Sequence, residues 1–155
     1  MGFIKKLFGA VSPSRAQELP NAVTEAIPSV HQAHIKGDGT FSVEVVGESH
    51  YQAALERAAG GRSEDGANKV VVAELALEDS NPYDSQAVAV RVLGETVGYL
   101  PRDSAREFRK QISALGVPPG IRMVCDARIN GGWSREGGRN RGHFGIRLDF
   151  LTGDS

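Results

Sequence analysis

The sequence has little of several features that would indicate a particular class of protein. Its 155 residues include one cysteine, Cys125, which excludes an internal disulfide and favours a reducing compartment, so a cytoplasmic location is expected. No run approaches the roughly 20 apolar residues that span a bilayer. The formal net charge of −1 excludes a surface dominated by positive charge. What is present, 40% hydrophobic and 24% charged residues, is typical of a globular domain.

Motifs that carry catalysis or cofactor binding are also missing. The chain has no GxxxxGK[ST] phosphate loop, no HExxH, no paired CxxC and no GxSxG. His31 and His34 have the spacing of two ligands on one helical face, but no Cys, Asp or Glu lies close enough to complete a metal site, so both are expected to be solvated. Cys125 falls at an inward strand position, where a thiol is normally inert. The sequence therefore predicts a noncatalytic protein without a metal or cofactor.

Composition divides the chain into four parts. Residues 1–9 form an amphipathic segment that is too short to be stable as an isolated helix, so it needs its own domain, a partner protein or an anionic membrane surface to bind. The apolar residues of this segment are Phe3, Ile4, Leu7 and Phe8. Residues 10–39 are polar and contain three prolines, which indicates a linker. Apolar alternation begins at residue 40, so residues 40–151 are expected to form one domain and 152–155 a tail.

Six segments of this domain alternate as strands do: 41–47, 70–77, 88–92, the segment ending at 97–102, 121–129 and 144–150. Two capping boxes, Ser49-x-x-Gln52 and Ser104-x-x-Glu107, predict the starts of two short helices. Brief turns separate all these elements. The pattern predicts a mainly β fold, a six-stranded antiparallel barrel of modified OB-like or SH3-like type with two short helices.

Three separated blocks form a family signature. They are VGESHY at 46–51, NPYD at 81–84 followed by AVxV at 87–90, and VGYLPR at 97–102. In this order and spacing they resemble the HIRAN domain, best known as the N-terminal module of SWI/SNF-type helicases that remodel stalled replication forks, and also found as free-standing bacterial proteins. The resemblance covers roughly residues 40–151 of this sequence.

The resemblance implies a modified OB-like barrel with a pocket for the free 3′ end of single-stranded DNA, used in DNA repair or replication-fork restart. By similarity, Tyr83 stacks on or shapes the terminal nucleotide and Asp84 accepts the proton of its hydroxyl. Asn81 holds the turn or bonds the end. On backbone grounds alone the same residues make a good turn, and the alternative is that Tyr83 simply covers the end of the barrel.

Five further residues belong to the pocket that the resemblance implies. Ser49, His50 and Tyr51 are expected at its mouth, and Tyr99 and Arg102 approach the DNA backbone from the opposite side. DNA-binding members of the family carry a basic residue and then an aromatic where this chain has Ser49-His50. This departure removes one phosphate contact and replaces a stacking ring with a smaller, titratable one, which implies weaker affinity or a different ligand.

The glycine-rich segment 130–142, NGGWSREGGRNRG, lies between the last two predicted strands and is interpreted as a mobile tip. An aromatic ring among arginines can wrap a single strand by stacking and charge, so a secondary DNA contact is possible here. Its residues are Trp133, Arg135, Arg139 and Arg141. The alternative is a solvated loop.

Two other classes of function stay open at this stage. The first is a protein-interaction adaptor that keeps the fold, has lost DNA affinity through Ser49-His50, and docks through residues 1–9. The second is an enzymatic role by association, because HIRAN domains occur in ATP-hydrolysing, zinc-containing helicases. Those activities reside in other domains, and this chain has neither the phosphate loop nor the zinc ligands.

Overall fold

The computed structural model describes residues 31–151, so the predictions for residues 1–9 and 152–155 lie outside the described residues. Within 31–151 the strands are β1 (Gln32–Ile35), β2 (Val43–Glu44), β3 (Ala67–Leu77), β4 (Val88–Val92), β5 (Glu95–Tyr99), β6 (Arg122–Gly131), β7 (Ser134–Arg135), β8 (Asn140–Arg141) and β9 (Phe144–Asp149). The helices are α1 (Gln52–Ala59) and α2 (Arg102–Ala114), with single turns of 3₁₀ helix at Glu48–His50 and Glu136–Gly138. Neither α-helix is long and apolar enough to cross a membrane.

One curled sheet organises the described chain. Its strands run in the order β2-β9-β6-β3-β4-β5, and β1 pairs in parallel with the first half of β6. The two ends of the sheet meet where Val46 and Tyr99 exchange backbone hydrogen bonds of 2.8 and 2.9 Å. The predicted class, a mainly β barrel-like fold with two short helices, is confirmed, and the six predicted strands correspond to β2–β6 and β9.

A glycine permits the closure of the curl. Gly98 lies in β5 directly beside the segment that follows β2. A Cβ atom at this position would overlap a Val45 methyl group and come within 2.9 Å of the Val46 carbonyl oxygen. The backbone segments can therefore approach this closely only because residue 98 has no side chain.

The core lies inside the curl and follows the alternation of the strands. Val88, Val90 and Val92 of β4 are buried, as are alternate residues of β6 and β9. Leu55 of α1 and Phe108 of α2 are buried in the same core, so both helices pack against the sheet. Cys125 of β6 is fully buried, and desolvation raises the pKa of its thiol to about 12, so the thiol is unreactive at neutral pH.

The predicted linker extends too far. Its last part contains β1, whose Ala33 and Ile35 are buried against β6. Four residues carry too little alternation to indicate a strand, and their partner strand lies about ninety residues further along the chain. His34, expected to be solvated, places Nε2 3.1 Å from the carboxylate of Asp126.

Both capping-box predictions are wrong. The first helix begins at Gln52 without a side-chain cap. The Gln52 side chain bonds strand β9: its Nε2 donates to the Phe144 carbonyl oxygen (3.0 Å), and its Oε1 accepts from the Phe144 N–H (2.8 Å). No side chain caps α2, which begins at Arg102 after Pro101. The proline fixes a φ of −53°, which already suits entry into a helix. Packing of the helices against the sheet outweighs the local capping signal.

The glycine-rich segment is a small hairpin rather than an open loop. Strands β7 and β8 pair with each other, and the Ser134 N–H donates to the Ser63 carbonyl oxygen over 2.8 Å. The Arg62 guanidinium donates to the Gly142 carbonyl oxygen, also over 2.8 Å. The segment between α1 and β3 therefore holds the hairpin from the side, which the pattern of glycines does not reveal.

Candidate functional site

A surface pocket of about 460 Å³ lies between the connection from β3 to β4, the end of β5 and the first turn of α2. Six of the eight primary site residues predicted from the sequence line this pocket. They are Tyr51, Asn81, Tyr83, Asp84, Tyr99 and Arg102. Their segments are distant along the chain, and the curl of the sheet brings them together.

The turn at 81–84 is built by its own side chains. The Asn81 Oδ1 atom accepts the N–H groups of Tyr83 (2.8 Å) and Asp84 (3.2 Å). The Asp84 Oδ1 atom accepts the N–H of Gln86 (3.0 Å), which extends the turn towards β4. Asn81 therefore holds the turn, one of the two roles that the resemblance implied, and its carbonyl oxygen is already occupied.

Sequence reasoning missed the carboxylate that anchors this side of the pocket. Glu78 Oε1 accepts the Tyr99 hydroxyl and the Asn81 amide, each over 2.9 Å. Burial, followed by the Glu78 carboxylate, raises the pKa of Tyr99 to about 12. Tyr99 is therefore a fixed, neutral ring wall. The only signal in the sequence is a carboxylate just before the Asn-Pro turn, and it does not identify the two groups that this carboxylate binds.

Arg109 is a second residue that the sequence did not reveal. Its guanidinium donates to the Gln86 carbonyl oxygen (2.7 Å), the Ala87 carbonyl oxygen (2.9 Å) and the carboxylate of Asp79 (2.8 Å). The Arg109 side chain is 19% exposed and that of Asp79 is 75% exposed, so the ion pair lies at the surface, while the bond to Ala87 is partly buried. One arginine on α2 thus holds both ends of the loop that forms the pocket. The planar fork of donors makes this three-way contact possible.

A carboxylate and a guanidinium that line the pocket form an ion pair. Arg102 Nε lies 3.5 Å from Asp84 Oδ2, and Arg102 is 66% exposed. The N–H of Gln86, and then the charge of Arg102, hold the pKa of Asp84 below its usual value of 3.8. Asp84 is therefore an ionised hydrogen-bond acceptor at neutral pH. The exposed ion pair is weak, so either partner is free to exchange it for a ligand.

Aromatic rings surround these charges. The rings of Tyr51 and Tyr99 pack with centroids 6.4 Å apart on one side of the pocket. Tyr83 also lines the pocket and is 91% exposed, although its backbone is held in the turn. The interpretation of Tyr83 as a cover for the end of the barrel is therefore wrong. Because the ring is exposed to solvent and its backbone is fixed by the turn, its face is accessible for stacking.

Two predicted primary residues do not line the pocket. Ser49 and His50 lie in the 3₁₀ turn before α1 and are exposed. The His50 ring meets the edge of the Tyr51 ring, with centroids 6.5 Å apart. His50 therefore packs beside the lining residue Tyr51, and neither Ser49 nor His50 lines the pocket itself.

The secondary residues form a separate region. The Arg135 guanidinium lies over the Trp133 ring, 4.8 Å from its centroid, and its Nε donates to the Glu64 carbonyl oxygen (3.0 Å). Trp133 also packs against the backbone at Gly142. Arg139 bonds its own turn, and Arg141 is exposed on β8. The hairpin therefore contributes no lining to the pocket.

Among residues 31–151, no group of three or more His, Cys, Asp or Glu side chains is arranged to hold a metal ion.

Comparison with known families identifies the fold to which this pocket belongs. A family model described as the HIRAN domain matches residues 38–124, which is more than half of the chain. This chain belongs to the HIRAN domain family. The match begins just before β2 and ends inside β6, so it includes all the residues that line the pocket. The HIRAN domain is a noncatalytic module of a nucleic-acid-binding family.

Other comparisons add less. No curated protein matches the chain. A crystal structure of a protein from Lactobacillus plantarum is similar at 20% identity, covering 69% of this chain and 90% of that chain, with a TM-score of 0.36.

Proposed function

We propose that this HIRAN domain binds single-stranded DNA at a free 3′ end, through the pocket between the 81–84 turn and α2. In this proposal the module is noncatalytic. It recognises DNA ends during DNA repair or replication-fork restart in the cytoplasm.

One observation carries the proposal: a ring, a carboxylate and a guanidinium line the same pocket. Tyr83, Asp84 and Arg102 come from two segments, and each supplies a different part of what a terminal nucleotide presents. The pocket volume of about 460 Å³ lies within the range of small-ligand sites, roughly 300–1,000 Å³.

The chemistry of each group suits its role. The exposed face of Tyr83 stacks on a base without reading its identity. The ionised Asp84 accepts the hydrogen bond of a 3′ hydroxyl and repels a 3′ phosphate. Arg102, beside the positive end of the α2 dipole, attracts the phosphate that links the last two nucleotides.

The positions of Ser49 and His50 affect the expected strength of binding. Neither lines the pocket, so Arg102 is the cation among its lining residues. Binding at an end depends on this local arrangement and does not require a broad basic surface. We therefore expect weak affinity with clear selectivity for the chemistry of the end.

Fluorescence anisotropy with an oligonucleotide labelled at its 5′ end tests the proposal. The wild-type chain should bind a free 3′ hydroxyl about tenfold more tightly than the same strand with a 3′ phosphate, because the phosphate brings charge beside Asp84. Equal affinity for the two ends, or no binding to either, would remove the end-recognition claim.

Asp84→Asn sharpens the test because the amide oxygen can still accept the N–H of Gln86, so the turn is kept. The variant should lose the preference for the hydroxyl while its melting temperature stays close to wild type. Asp65→Asn, the same change at an exposed position between α1 and β3, is the matched control and should keep the preference. A collapse of the melting temperature in Asp84→Asn would instead favour a purely structural role for this carboxylate.

A further inference from the structure

Helix α2 carries a line of basic side chains that starts at the pocket. Arg102, Arg106 and Lys110 are all exposed and follow one another at intervals of four residues. This spacing puts successive members about 6 Å apart along the helix axis, and about 40° apart around it. We call these three residues the basic ridge. Phe108, on the opposite face, is buried, so the ridge is not needed to attach the helix to the sheet.

A shallow depression of about 510 Å³ accompanies the ridge beyond the pocket. It is lined by Gln86, Arg106, Arg109, Lys110, Ser113 and Ala114. Gln86 lies at the end of the loop that forms the pocket, and its Oε1 accepts Arg106 Nε over 2.7 Å. The depression therefore continues along α2 from the loop that forms the pocket.

The charge of this depression is positive. Arg109 is already occupied by the loop, which leaves Arg106 and Lys110 to meet a ligand. Within residues 31–151, Arg106 uses only its Nε atom in a hydrogen bond, so its two terminal nitrogens remain available. The acidic residues of α2, Asp103 and Glu107, do not line the depression. They lie along one flank of the ridge, each about 60° around the helix from the basic residue three positions later.

We propose that the basic ridge is a track for the phosphates of the strand that precedes the nucleotide in the pocket. This inference rests on the proposed function, which places the free 3′ end beside Arg102. The strand then runs in the 5′ direction along α2, with one phosphate at Arg106 and the next near Lys110. Contacts of this type give affinity that depends on strand length and on salt, and they do not read bases.

The test compares two DNA strands with free 3′ hydroxyls: a dinucleotide, whose single phosphate lies at Arg102, and an oligonucleotide of about twelve nucleotides, each labelled at its 5′ end through a linker without a phosphate. The wild-type chain should bind the longer strand more tightly. The double variant Arg106→Gln, Lys110→Gln should bind the longer strand about tenfold more weakly and should bind the shorter strand almost as before. The slope of log K against log salt for the longer strand should decrease in magnitude by about 1.4, the value for two lost phosphate contacts on a single strand.

Lys110→Gln and Lys36→Gln form a matched pair of single variants. Lys36 is an exposed lysine in the loop after β1, outside the pocket and the depression. Only Lys110→Gln should change the salt slope.

The outcomes separate the two proposals. An unchanged affinity and salt slope in the double variant, with the preference for a 3′ hydroxyl intact, would overturn the track alone. Equal weakening of the short and long strands would also overturn it, because the effect would then come through the pocket. Absence of the hydroxyl preference in the wild-type chain would overturn the proposed function itself, and with it the track that depends on it.

Discussion

The pocket and the β7–β8 hairpin both combine an aromatic ring with arginines, and the sequence predicted DNA contact for both. They differ in what these groups already bind. In the hairpin, Arg135 covers the Trp133 ring and bonds the neighbouring loop, so the attractive groups satisfy each other. In the pocket, other residues hold the loop, and Tyr83 and Arg102 remain exposed. The comparison teaches that a ring among arginines is available to a ligand only where the fold leaves both unoccupied.

The largest expected effect is on the hairpin side. Trp133→Ala should lower the free energy of unfolding by about 2–3 kcal/mol, because the ring packs against Gly142 and supports Arg135. Denaturant unfolding measures this loss. The folded variant should bind single-stranded DNA as the wild type does. Weaker binding without a loss of stability would contradict the contrast between the two regions and would make the hairpin a contact site.

The next effect concerns the residue that holds the pocket loop. Arg109→Ala leaves the Asp79 carboxylate and two loop carbonyl groups without their shared partner, so we expect a loss of about 2 kcal/mol in the free energy of unfolding. DNA affinity should fall as well, since the loop carries Tyr83 and Asp84. Arg139→Ala is the control, because this arginine makes one bond to its own turn and should change stability by less than about 0.5 kcal/mol.

Tyr83→Ala should have the opposite signature to Trp133→Ala. The ring is 91% exposed, so the free energy of unfolding should change by less than about 0.5 kcal/mol. Affinity for a 3′ hydroxyl end should fall about tenfold, as expected for one lost stacking interaction. Anisotropy and denaturant unfolding on the same preparation measure both quantities. A clear loss of stability with unchanged affinity would return Tyr83 to a structural role.

The smallest effect is the response to pH. The pKa of Asp84 is lowered from its usual 3.8, mainly by the N–H of Gln86 and then by Arg102. A lowered pKa in the folded state means that the contribution of this carboxylate is fully present above pH 3.8 and is lost as the pH falls through the lowered value. The ratio of wild-type to Asp84→Asn affinity should therefore stay constant from about pH 8 down to about pH 5. A ratio that already declines near pH 6 would show that Asp84 takes up a proton in the folded protein.

Much of the sheet was predictable from local pattern. The alternation in β4, β6 and β9 and the turn at 81–84 depend on neighbouring residues, and the structure contains all of them. Gly60 also ends α1 in a left-handed conformation, which glycine adopts without a steric cost. Of the eight primary residues predicted from the three blocks of the family signature, six line one pocket.

The predictions that failed share one cause, which is that the residues concerned bond partners far away in the sequence. Strand β1 depends on β6, the side chain of Gln52 bonds β9 as well as the nearby Glu48 carbonyl oxygen, and the backbone of Trp133 pairs with Ser63, about seventy residues earlier. Glu78 and Arg109 were missed for the same reason, because each bonds groups that are distant in the sequence and that the sheet or α2 brings close to it. Short-range periodicity contains no information about such pairs.

By itself, the sequence determined the mainly β fold, the family and the residue types of the pocket, because alternation and turn chemistry act between near neighbours. Only the tertiary structure decided which of those residues are free. It occupied Asn81 and Tyr99 with Glu78, directed Ser49 and His50 away from the pocket, and aligned α2 with the loop so that its basic ridge begins at Arg102. The physical reason is that the availability of a side chain depends on every group packed around it, and most of those groups come from elsewhere in the chain.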